Sequence, residues 1–298
     1  LTTFENIFEN LELVDLMQNR FTKIPEFNSK IGLICLDYNL IEELTISFSY
    51  LVRLYLNMNR LTLIKPDIVF NNLEWLEISK NRLQELPDFR SFAPKLKKLD
   101  CSLNLLNEFP QLSSEIIELN LSGNKITTIP PEIIDLTKLS IFDFSLNEIE
   151  NLPPLPPSIT QITGTGNMIK HCATCHTPKL KQILLMKNQL DAFPIFAENQ
   201  ISEFFVMQNR ISELSIHSFS STITRINATQ NNITEIPEHI FTQFPKLAHL
   251  NLAKNGISTI PLSFKYSSIV CLDISENPIE SFPEGCFPES FVALYCSY

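Results

Sequence analysis

The segment HCATCH, residues 171 to 176, combines residue types that bind metals and haem. Its CxxCH pattern matches the signature of covalent haem attachment, and four potential metal ligands stand close together: His171, Cys172, Cys175 and His176. Cys172, however, takes the place of an Ile, Leu or Phe in similar segments of the chain, which predicts a thiol packed in the core. A haem also needs an apolar pocket, which a short packed turn does not supply. We therefore favour a structural loop over a zinc or redox site, and expect no cofactor and no bound metal.

A second candidate for chemistry is a thiol and imidazole pair. His249 and Cys271 occupy equivalent places in two adjacent segments, with Asp273 close to the cysteine. A nucleophilic dyad also requires an oxyanion site and a pocket, and an open surface provides neither. The sequence contains no GxxxxGK[ST] phosphate loop and no HExxH zinc motif. We expect no catalytic residue and no enzyme activity in this segment.

These residues belong to a repeat that runs through the whole chain. The segments LELVDLMQNRF (11–21), LVRLYLNMNRL (51–61) and LEWLEISKNRL (73–83) share the frame LxxLxLxxNxL. Aligned on its asparagine, the frame recurs at intervals of 20 to 24 residues. The thirteen aligned asparagines are Asn19, Asn39, Asn59, Asn81, Asn104, Asn124, Asn147, Asn167, Asn188, Asn209, Asn231, Asn255 and Asn277.

The frame resembles the leucine-rich-repeat family, and the resemblance covers essentially the whole chain. It implies an α/β fold, a right-handed solenoid shaped as a horseshoe or arc. A parallel β-sheet would line its concave face, with irregular, short helical and extended segments on its convex face. The shorter repeats are similar to those of bacterial effector proteins. We interpret residues 1–298 as a single domain of about thirteen full repeats, with partial repeats at both ends.

Elementary physical chemistry gives the repeat the same interpretation. Apolar residues at its fourth and sixth positions, such as Leu54 and Leu56, alternate with period two, which predicts a short strand with one buried face. The asparagine side chain both donates and accepts, so it can pair backbone groups where the chain turns away from the strand. An apolar residue followed by proline then recurs, and we expect the apolar member in the core. Such pairs begin at Ile24, Leu86, Phe109, Ile129, Phe193, Ile236 and Ile260.

The return path of each repeat varies with its length. The longer segment PEHIFTQFPKL (237–247) has room for a short helical turn, whereas NLPPLPPSITQI (151–162) favours an extended path. Repeat eight carries Gly164 on a core position and Gly166 beside its asparagine, which predicts a local distortion.

Both ends resemble parts of further repeats. Leu1 and Phe4 fit the end of a preceding repeat, and FVALYCSY (291–298) matches the opening of a fourteenth. Solenoids need polar caps, so we interpret the sequence as a fragment of a longer protein. The family resemblance implies that such repeats serve as recognition arms of kinases, protein phosphatases and other signalling proteins.

Composition restricts the classes of partner and compartment. The net charge of −10 argues against general binding to nucleic acid or anionic membranes, and no apolar stretch is long enough to insert into a bilayer. Seven cysteines without dense spacing favour a reducing compartment, so we expect the cytoplasm. Three glycosylation sequons, at Asn120, Asn227 and Asn232, are the contrary indication.

We expect a protein or peptide partner to contact the residues marked x in the frame, which project from the sheet. Two places there are rich in apolar and aromatic residues, the types that dominate binding hot spots. Alternatively, these rings cover one another as neighbours across strands. The first patch comprises Leu13, Met17, Leu33, Tyr38, Arg53, Tyr55, Met58 and Trp75, with Arg60 and Arg82 nearby. The second comprises Leu184, Met186, Phe205 and Met207.

The sequence therefore predicts a protein-binding module, active in intracellular signalling. The alternative is the regulatory arm of a larger signalling enzyme, with a phosphatase or kinase domain outside this segment. An extracellular receptor or adhesion segment is a third interpretation.

Overall fold

The computed structural model describes residues 1–3, 10–27, 30–214 and 220–297. Phe4, assigned above to a preceding repeat, lies outside the described residues. The chain divides into two compact units, Leu1–Glu148 and Ile149–Tyr298. The interpretation of residues 1–298 as one domain stays a prediction.

The first unit is built on a parallel sheet of very short strands. Its strands in the described residues are β1 (Leu13–Asp15), β2 (Leu33–Cys35), β3 (Glu43–Leu44), β4 (Arg53–Tyr55), β5 (Leu63–Ile64), β6 (Trp75–Glu77), β7 (Lys98–Asp100), β8 (Glu118–Asn120) and β9 (Ile141–Asp143). The sheet order is β1, β2, β4, β6, β7, β8 and β9, while β3 and β5 form a separate parallel pair.

The second unit repeats this arrangement. Its strands in the described residues are β10 (Asn151–Leu152), β11 (Gln161–Thr163), β12 (His171–Cys172), β13 (Cys175–His176), β14 (Gln182–Leu184), β15 (Phe196–Ala197), β16 (Glu203–Phe205), β17 (Arg225–Asn227), β18 (His249–Asn251), β19 (Cys271–Asp273) and β20 (Ala293–Tyr295). The sheet order is β11, β14, β16, β17, β18, β19 and β20. Two small pairs, β10 with β12 and β13 with β15, lie outside this sheet.

The core of each unit lies behind its sheet. The central residue of each three-residue strand except β20 is buried while its neighbours face outward, as in β4, where Leu54 is fully buried between Arg53 and Tyr55. Leu56 and Leu61 of the same repeat are fully buried as well. Each such side chain contributes roughly 1.5–3 kcal/mol by leaving water. The predicted period-two strand with one buried face is confirmed.

The return paths contain little helix. The described residues hold two one-turn helices, α1 (Phe89–Phe92) and α2 (Ile240–Gln243), and two 3₁₀ turns, at Pro131–Asp135 and Leu262–Tyr266. The helical turn predicted within 237–247 is confirmed by α2, and residues 151–162 run without helix, as predicted.

The apolar residue before each return proline is buried in most repeats but not in all. Ile129 and Ile260 are buried. Leu86 and Phe109 are only half-buried, because both line a surface cavity on the flank of the first unit. The expectation that they fill the core is wrong for these two.

The repeated asparagines form a ladder of hydrogen bonds. In Asn59 the side-chain nitrogen donates to the carbonyl of Leu56, 3.2 Å away in its own turn, and to that of Leu36, 2.9 Å away in the preceding repeat. Its Oδ1 accepts from the Ile41 N–H at 2.9 Å. The side chain thus pairs backbone groups in two repeats that would otherwise be buried without partners. The predicted role of the asparagine is confirmed.

The residue before each ladder asparagine adopts a left-handed backbone conformation. Tyr38, for example, has φ of 56°, and its N–H donates to the Asn57 carbonyl in the next repeat at 2.9 Å. Gly123 and Gly166, with φ of 68° and 73°, occupy the same place. Gly166 is therefore the residue best suited to its turn, and β11 pairs with β14 in register. The distortion predicted for repeat eight is not seen.

At Gly123 both the backbone and a neighbouring side chain oppose the addition of a side chain. A Cβ at this residue would lie 2.5 Å from Cδ2 of Leu103, which packs over the glycine from the preceding repeat. We expect Gly123→Ala to lower the free energy of unfolding by about 1–2 kcal/mol, from backbone strain and this contact together. In a Leu103→Ala background the same substitution should cost less. Urea unfolding of the four variants in the cycle measures the difference, and an equal cost in both backgrounds would exclude the contact as a cause.

Candidate functional site

Two columns of outward side chains cross the sheet of the first unit. Because the strands pair in register, equivalent residues stand side by side, about 5 Å apart. The first column comprises Leu13, Leu33, Arg53, Trp75, Lys98, Glu118 and Ile141. The second comprises Asp15, Cys35, Tyr55, Glu77, Asp100, Asn120 and Asp143.

Trp75 lies at the centre of the first column between two cations. The Lys98 ammonium lies 4.0 Å from the centre of its ring and the Arg53 guanidinium 5.3 Å. Both distances are within the range of cation–π attraction. The indole N–H donates to Glu77 at 2.8 Å, and the ammonium of Lys98 lies 3.8 Å from the same carboxylate. The ring is therefore half-buried and held in one orientation by its own neighbours.

A polar network joins three repeats beside this tryptophan. Asp37 accepts from the Asn57 N–H at 2.7 Å, and the Asn57 amide donates to Glu77 at 3.1 Å. Burial raises the pKa of the Asp37 carboxyl above its ordinary value, and the charges of Glu77 and Asp15 raise it further against the opposing hydrogen bonds from Asn57. Of these three residues Glu77 stands in the second column, whereas Asp37 and Asn57 follow the ends of β2 and β4.

The first predicted patch is divided by the structure. Leu13, Leu33, Arg53, Tyr55 and Trp75 lie on strands and face outward, as predicted. Two neighbouring cations, rather than another ring, cover the ring of Trp75.

The other three members of that patch lie past the strand ends. Met17 is 39% exposed. Tyr38 and Met58 sit in the left-handed turns before their asparagines, with Tyr38 exposed and Met58 half-buried. They form an edge beside the sheet face rather than part of it.

The second predicted patch lies on the sheet of the second unit. Leu184 and Phe205 are register partners on β14 and β16, and both are half-buried. Met186 and Met207 follow the two strands and are also half-buried. A shallow cavity of about 230 Å³ opens beside Phe205. Its walls include His249, Cys271 and Asp273, which the sequence analysis grouped, and Arg225, Asn227, Asn251 and Tyr295, which it placed in no candidate site.

His249 and Cys271 line this cavity as register partners on β18 and β19, as their equivalent positions predicted. The Asp273 carboxylate accepts from the Asn251 amide at 3.0 Å and from the Ser275 N–H at 3.1 Å. These hydrogen bonds direct the carboxylate to Asn251 and Ser275, and no hydrogen bond between His249 and Asp273 is present among the described residues.

In HCATCH the thiols and imidazoles face opposite sides. His171 and His176 are exposed, and their rings lie 3.9 Å from Asp191 and 3.7 Å from Glu198. The thiols point inward, and burial raises the pKa of both Cys172 and Cys175 above the ordinary value. The structure therefore does not bring the four candidate ligands together. Within the described ranges no group of three or more His, Cys, Asp or Glu could hold a metal ion.

Sequence analysis missed a set of exposed aliphatic side chains in the first unit. Leu103, Leu105 and Leu146 are 45%, 40% and 60% exposed. They occupy the frame positions directly before and after the ladder asparagines. The repeat frame already predicts that these positions project outward. Their apolar character becomes evident only when equivalent positions of successive repeats are compared.

Comparison with known proteins identifies the repeat. A family model described as Leucine Rich Repeat matches residues 115–136. The structure of YopM from Yersinia enterocolitica superposes with a TM-score of 0.72 at 23% identity, covering 96% of this chain and 64% of that one. The chain is built from leucine-rich repeats. Its short parallel strands and asparagine turns are those of the leucine-rich-repeat fold.

Other leucine-rich-repeat proteins match over shorter spans. Osteomodulin from Bos taurus is 28% identical over 40% of this chain and 29% of its own length. The solved octameric complex of Latrophilin 3, Unc5D and FLRT2 (LRR) contains a chain with a TM-score of 0.65 at 19% identity, covering 77% of this chain and 76% of that one. The matched segment spans about a third of the curated relatives. The leucine-rich-repeat fold is a general protein interaction module, and these matches are binding or structural proteins rather than enzymes.

The comparisons give no support to a cytoplasmic location, because osteomodulin is an extracellular matrix protein. In the described part of the chain, no helix has the length and apolar character needed to span a membrane.

Proposed function

We propose that this chain binds a protein or peptide ligand on the outward sheet face of its first unit. The observation that supports the proposal is the immobilised Trp75, with Arg53 and Lys98 against its ring and its N–H fixed by Glu77. Tryptophan and arginine are the residues most enriched at binding hot spots. A side chain already held in one rotamer loses little conformational entropy when a ligand covers it.

Apolar surface extends from Trp75 toward the start of the sheet. Leu33 is half-buried and Leu13 is 57% exposed, and both stand in the same column as the tryptophan. Tyr55 stands beside it in the second column. The protein core does not cover these apolar side chains. A partner that removes them from water therefore lowers the free energy of the complex.

A second contact surface is proposed at Leu184, Met186, Phe205 and Met207 in the second unit. Methionine adapts its shape to different partners because its chain is unbranched and its sulfur polarisable. The adjoining cavity beside Phe205 would admit one side chain of the ligand.

Intracellular signalling is the setting we propose, with the seven free cysteines as support for a reducing compartment. A glycan on Asn232, whose side chain is exposed in its sequon, would contradict that location. The alternative role, a regulatory arm of a larger phosphatase or kinase, uses the same surface. Reading the coding sequence beyond Tyr298 distinguishes the two.

Site-specific photocrosslinking tests the surface directly. We would place benzoylphenylalanine at Tyr55, on the sheet face, and in a matched chain at Tyr266, which is 70% exposed in a return turn. Irradiation in cell lysate should give a protein adduct from the Tyr55 chain that is absent from the Tyr266 chain. The same adduct from both chains, or from Tyr266 alone, would place the ligand elsewhere.

A further inference from the structure

We infer that the turn edge of the first unit binds an acidic polypeptide segment that also carries apolar side chains. The turn edge consists of the residues directly before and after the ladder asparagines. Its cations are Arg20, Arg60, Lys80, Arg82 and Lys125, its apolar members are Tyr38, Leu40, Met58, Leu103, Leu105 and Leu146, and its last residue is the acidic Glu148. The inference concerns a surface beside the sheet face and does not rest on the function proposed for that face.

Within the part of the chain that the structure describes, the cations of the turn edge have no acidic partner. All five are exposed, and none lies within 4.0 Å of a carboxylate oxygen among the residues that the structure describes. Several other lysines are paired, among them Lys97 with Glu74 at 2.9 Å and Lys138 with Glu115 at 2.7 Å. In a chain of net charge −10, a row of unpaired cations is a distinct local field that attracts negative charge.

Large apolar side chains interrupt this row at positions where they are costly. Tyr38, Met58 and Leu103 have φ of 56°, 53° and 54°, a conformation that favours glycine or asparagine. Tyr38 and Leu103 also leave 49% and 45% of their surface in water, and Leu105 leaves 40%. The backbone conformation does not favour these side chains, and the protein itself leaves much of the apolar surface of Tyr38, Leu103 and Leu105 uncovered. A partner that covers them accounts for their presence.

The turn edge is rigid and regularly spaced. The N–H of Arg60 donates to the Ile41 carbonyl at 2.9 Å, and that of Arg82 to the Leu61 carbonyl at 2.9 Å. The same bond joins Lys125 to Leu106 at 2.8 Å. With repeats about 5 Å apart, the cations extend over roughly 25 Å, the length of seven or eight extended residues.

The apolar members decide the class of partner. A nucleic acid presents phosphates that pair with cations but offers no aliphatic groups to Leu103 and Leu105. The net negative charge of the whole chain also opposes approach to a polyanion of high charge density. A polypeptide segment in which Asp or Glu alternates with apolar residues can pair with the cations of the turn edge and also cover its apolar side chains.

The corresponding edge of the second unit provides a matched control. Its cations Lys187 and Arg210 stand with one large exposed apolar residue, Met168, and its Lys254 is already paired with Glu276 at 3.1 Å. Charge reversal there changes the net charge of the chain equally but leaves the turn edge of the first unit intact.

The test measures fluorescence anisotropy with a labelled twelve-residue peptide of alternating Glu and Leu. Comparison probes are a Lys/Leu peptide, a Glu/Ser peptide and a labelled oligothymidine of the same length. The proteins are the unaltered chain, Arg60→Glu/Arg82→Glu, the control Lys187→Glu/Arg210→Glu, and the sheet-face variant Trp75→Ala/Tyr55→Ala. Circular dichroism verifies that each variant is folded.

We expect the Glu/Leu peptide to bind at least about tenfold more tightly than the other probes, and higher salt to weaken it. Arg60→Glu/Arg82→Glu should reduce this affinity about tenfold or more, with the two other variants within about twofold of the unaltered chain. Equal binding of the Glu/Ser peptide would show that apolar contacts do not contribute to the affinity. Equal binding of the Lys/Leu peptide would show that the negative charges of the peptide do not contribute. Tighter binding of oligothymidine would show that the turn edge prefers a nucleic acid to a polypeptide, which contradicts the inference. The inference is overturned if no peptide binds at about 1 mM. It is also overturned if the affinity for the Glu/Leu peptide falls in the control variant or the sheet-face variant rather than in Arg60→Glu/Arg82→Glu.

Discussion

Asn104→Leu should lower the free energy of unfolding by about 4 kcal/mol. The side chain is 6% exposed, and its amide donates to the carbonyls of Ile78 at 3.0 Å and Cys101 at 3.0 Å. Its Oδ1 accepts from the Leu83 N–H at 3.0 Å. Leucine has a similar volume but leaves these backbone groups buried and unpaired, at about 1–3 kcal/mol each. Urea unfolding followed by circular dichroism measures the loss, which is a large part of a typical total stability.

Asn107→Leu is the matched control, because it makes the same change at an exposed asparagine in the same repeat. It should alter stability by no more than about 0.5 kcal/mol. Asn104→Asp adds a second comparison, since a carboxylate can still accept from Leu83 but cannot donate to the two carbonyls. Equal stabilities of Asn104→Leu and Asn107→Leu would refute the ladder as a stabilising element.

The second large effect concerns binding. Trp75→Ala/Tyr55→Ala should weaken binding of the protein ligand about 1,000-fold, because hot-spot aromatics typically contribute about 2 kcal/mol or more each and about 1.4 kcal/mol corresponds to a factor of ten. Isothermal titration with the partner crosslinked at Tyr55 measures this loss. The double variant should unfold at nearly the same urea concentration as the unaltered chain, because both side chains face outward from β4 and β6.

A control for the binding experiment removes two aromatic rings away from the sheet face. Tyr50 and Tyr266 are 54% and 70% exposed. Tyr50→Ala/Tyr266→Ala should leave the affinity within about twofold. An equal loss in both double variants would show that the sheet face does not carry the binding, and loss of the fold in the first would show that its outward assignment is wrong.

Sequence alone was sufficient to predict the repeat, the short strands and the role of the asparagine. These follow from local chemistry, because a period-two apolar pattern has one buried face and a buried turn must pair its backbone groups. No single repeat can bury its apolar face alone, so the thirteen copies must stack on one another. Stacking of equivalent repeats makes their strands parallel. The return paths at 151–162 and 237–247 were predictable because residue count limits what a segment can form.

The tertiary structure alone decided where the side chains of the candidate site point. Tyr38 and Met58 fit the outward pattern by sequence, but left-handed turns place them on the edge. The orientation of Trp75 depends on Arg53 and Lys98, which come from two other repeats and meet it only through strand pairing.

The same limit applies to HCATCH and to the turn edge. The spacing within HCATCH permitted a shared metal site, but strand alternation turns Cys172 inward and His171 outward. The unpaired cations beside Leu103 and Leu105 are far apart in sequence and become neighbours only when the repeats stack. A sequence determines which side chains each repeat offers, whereas pairing between repeats determines which of them share a surface.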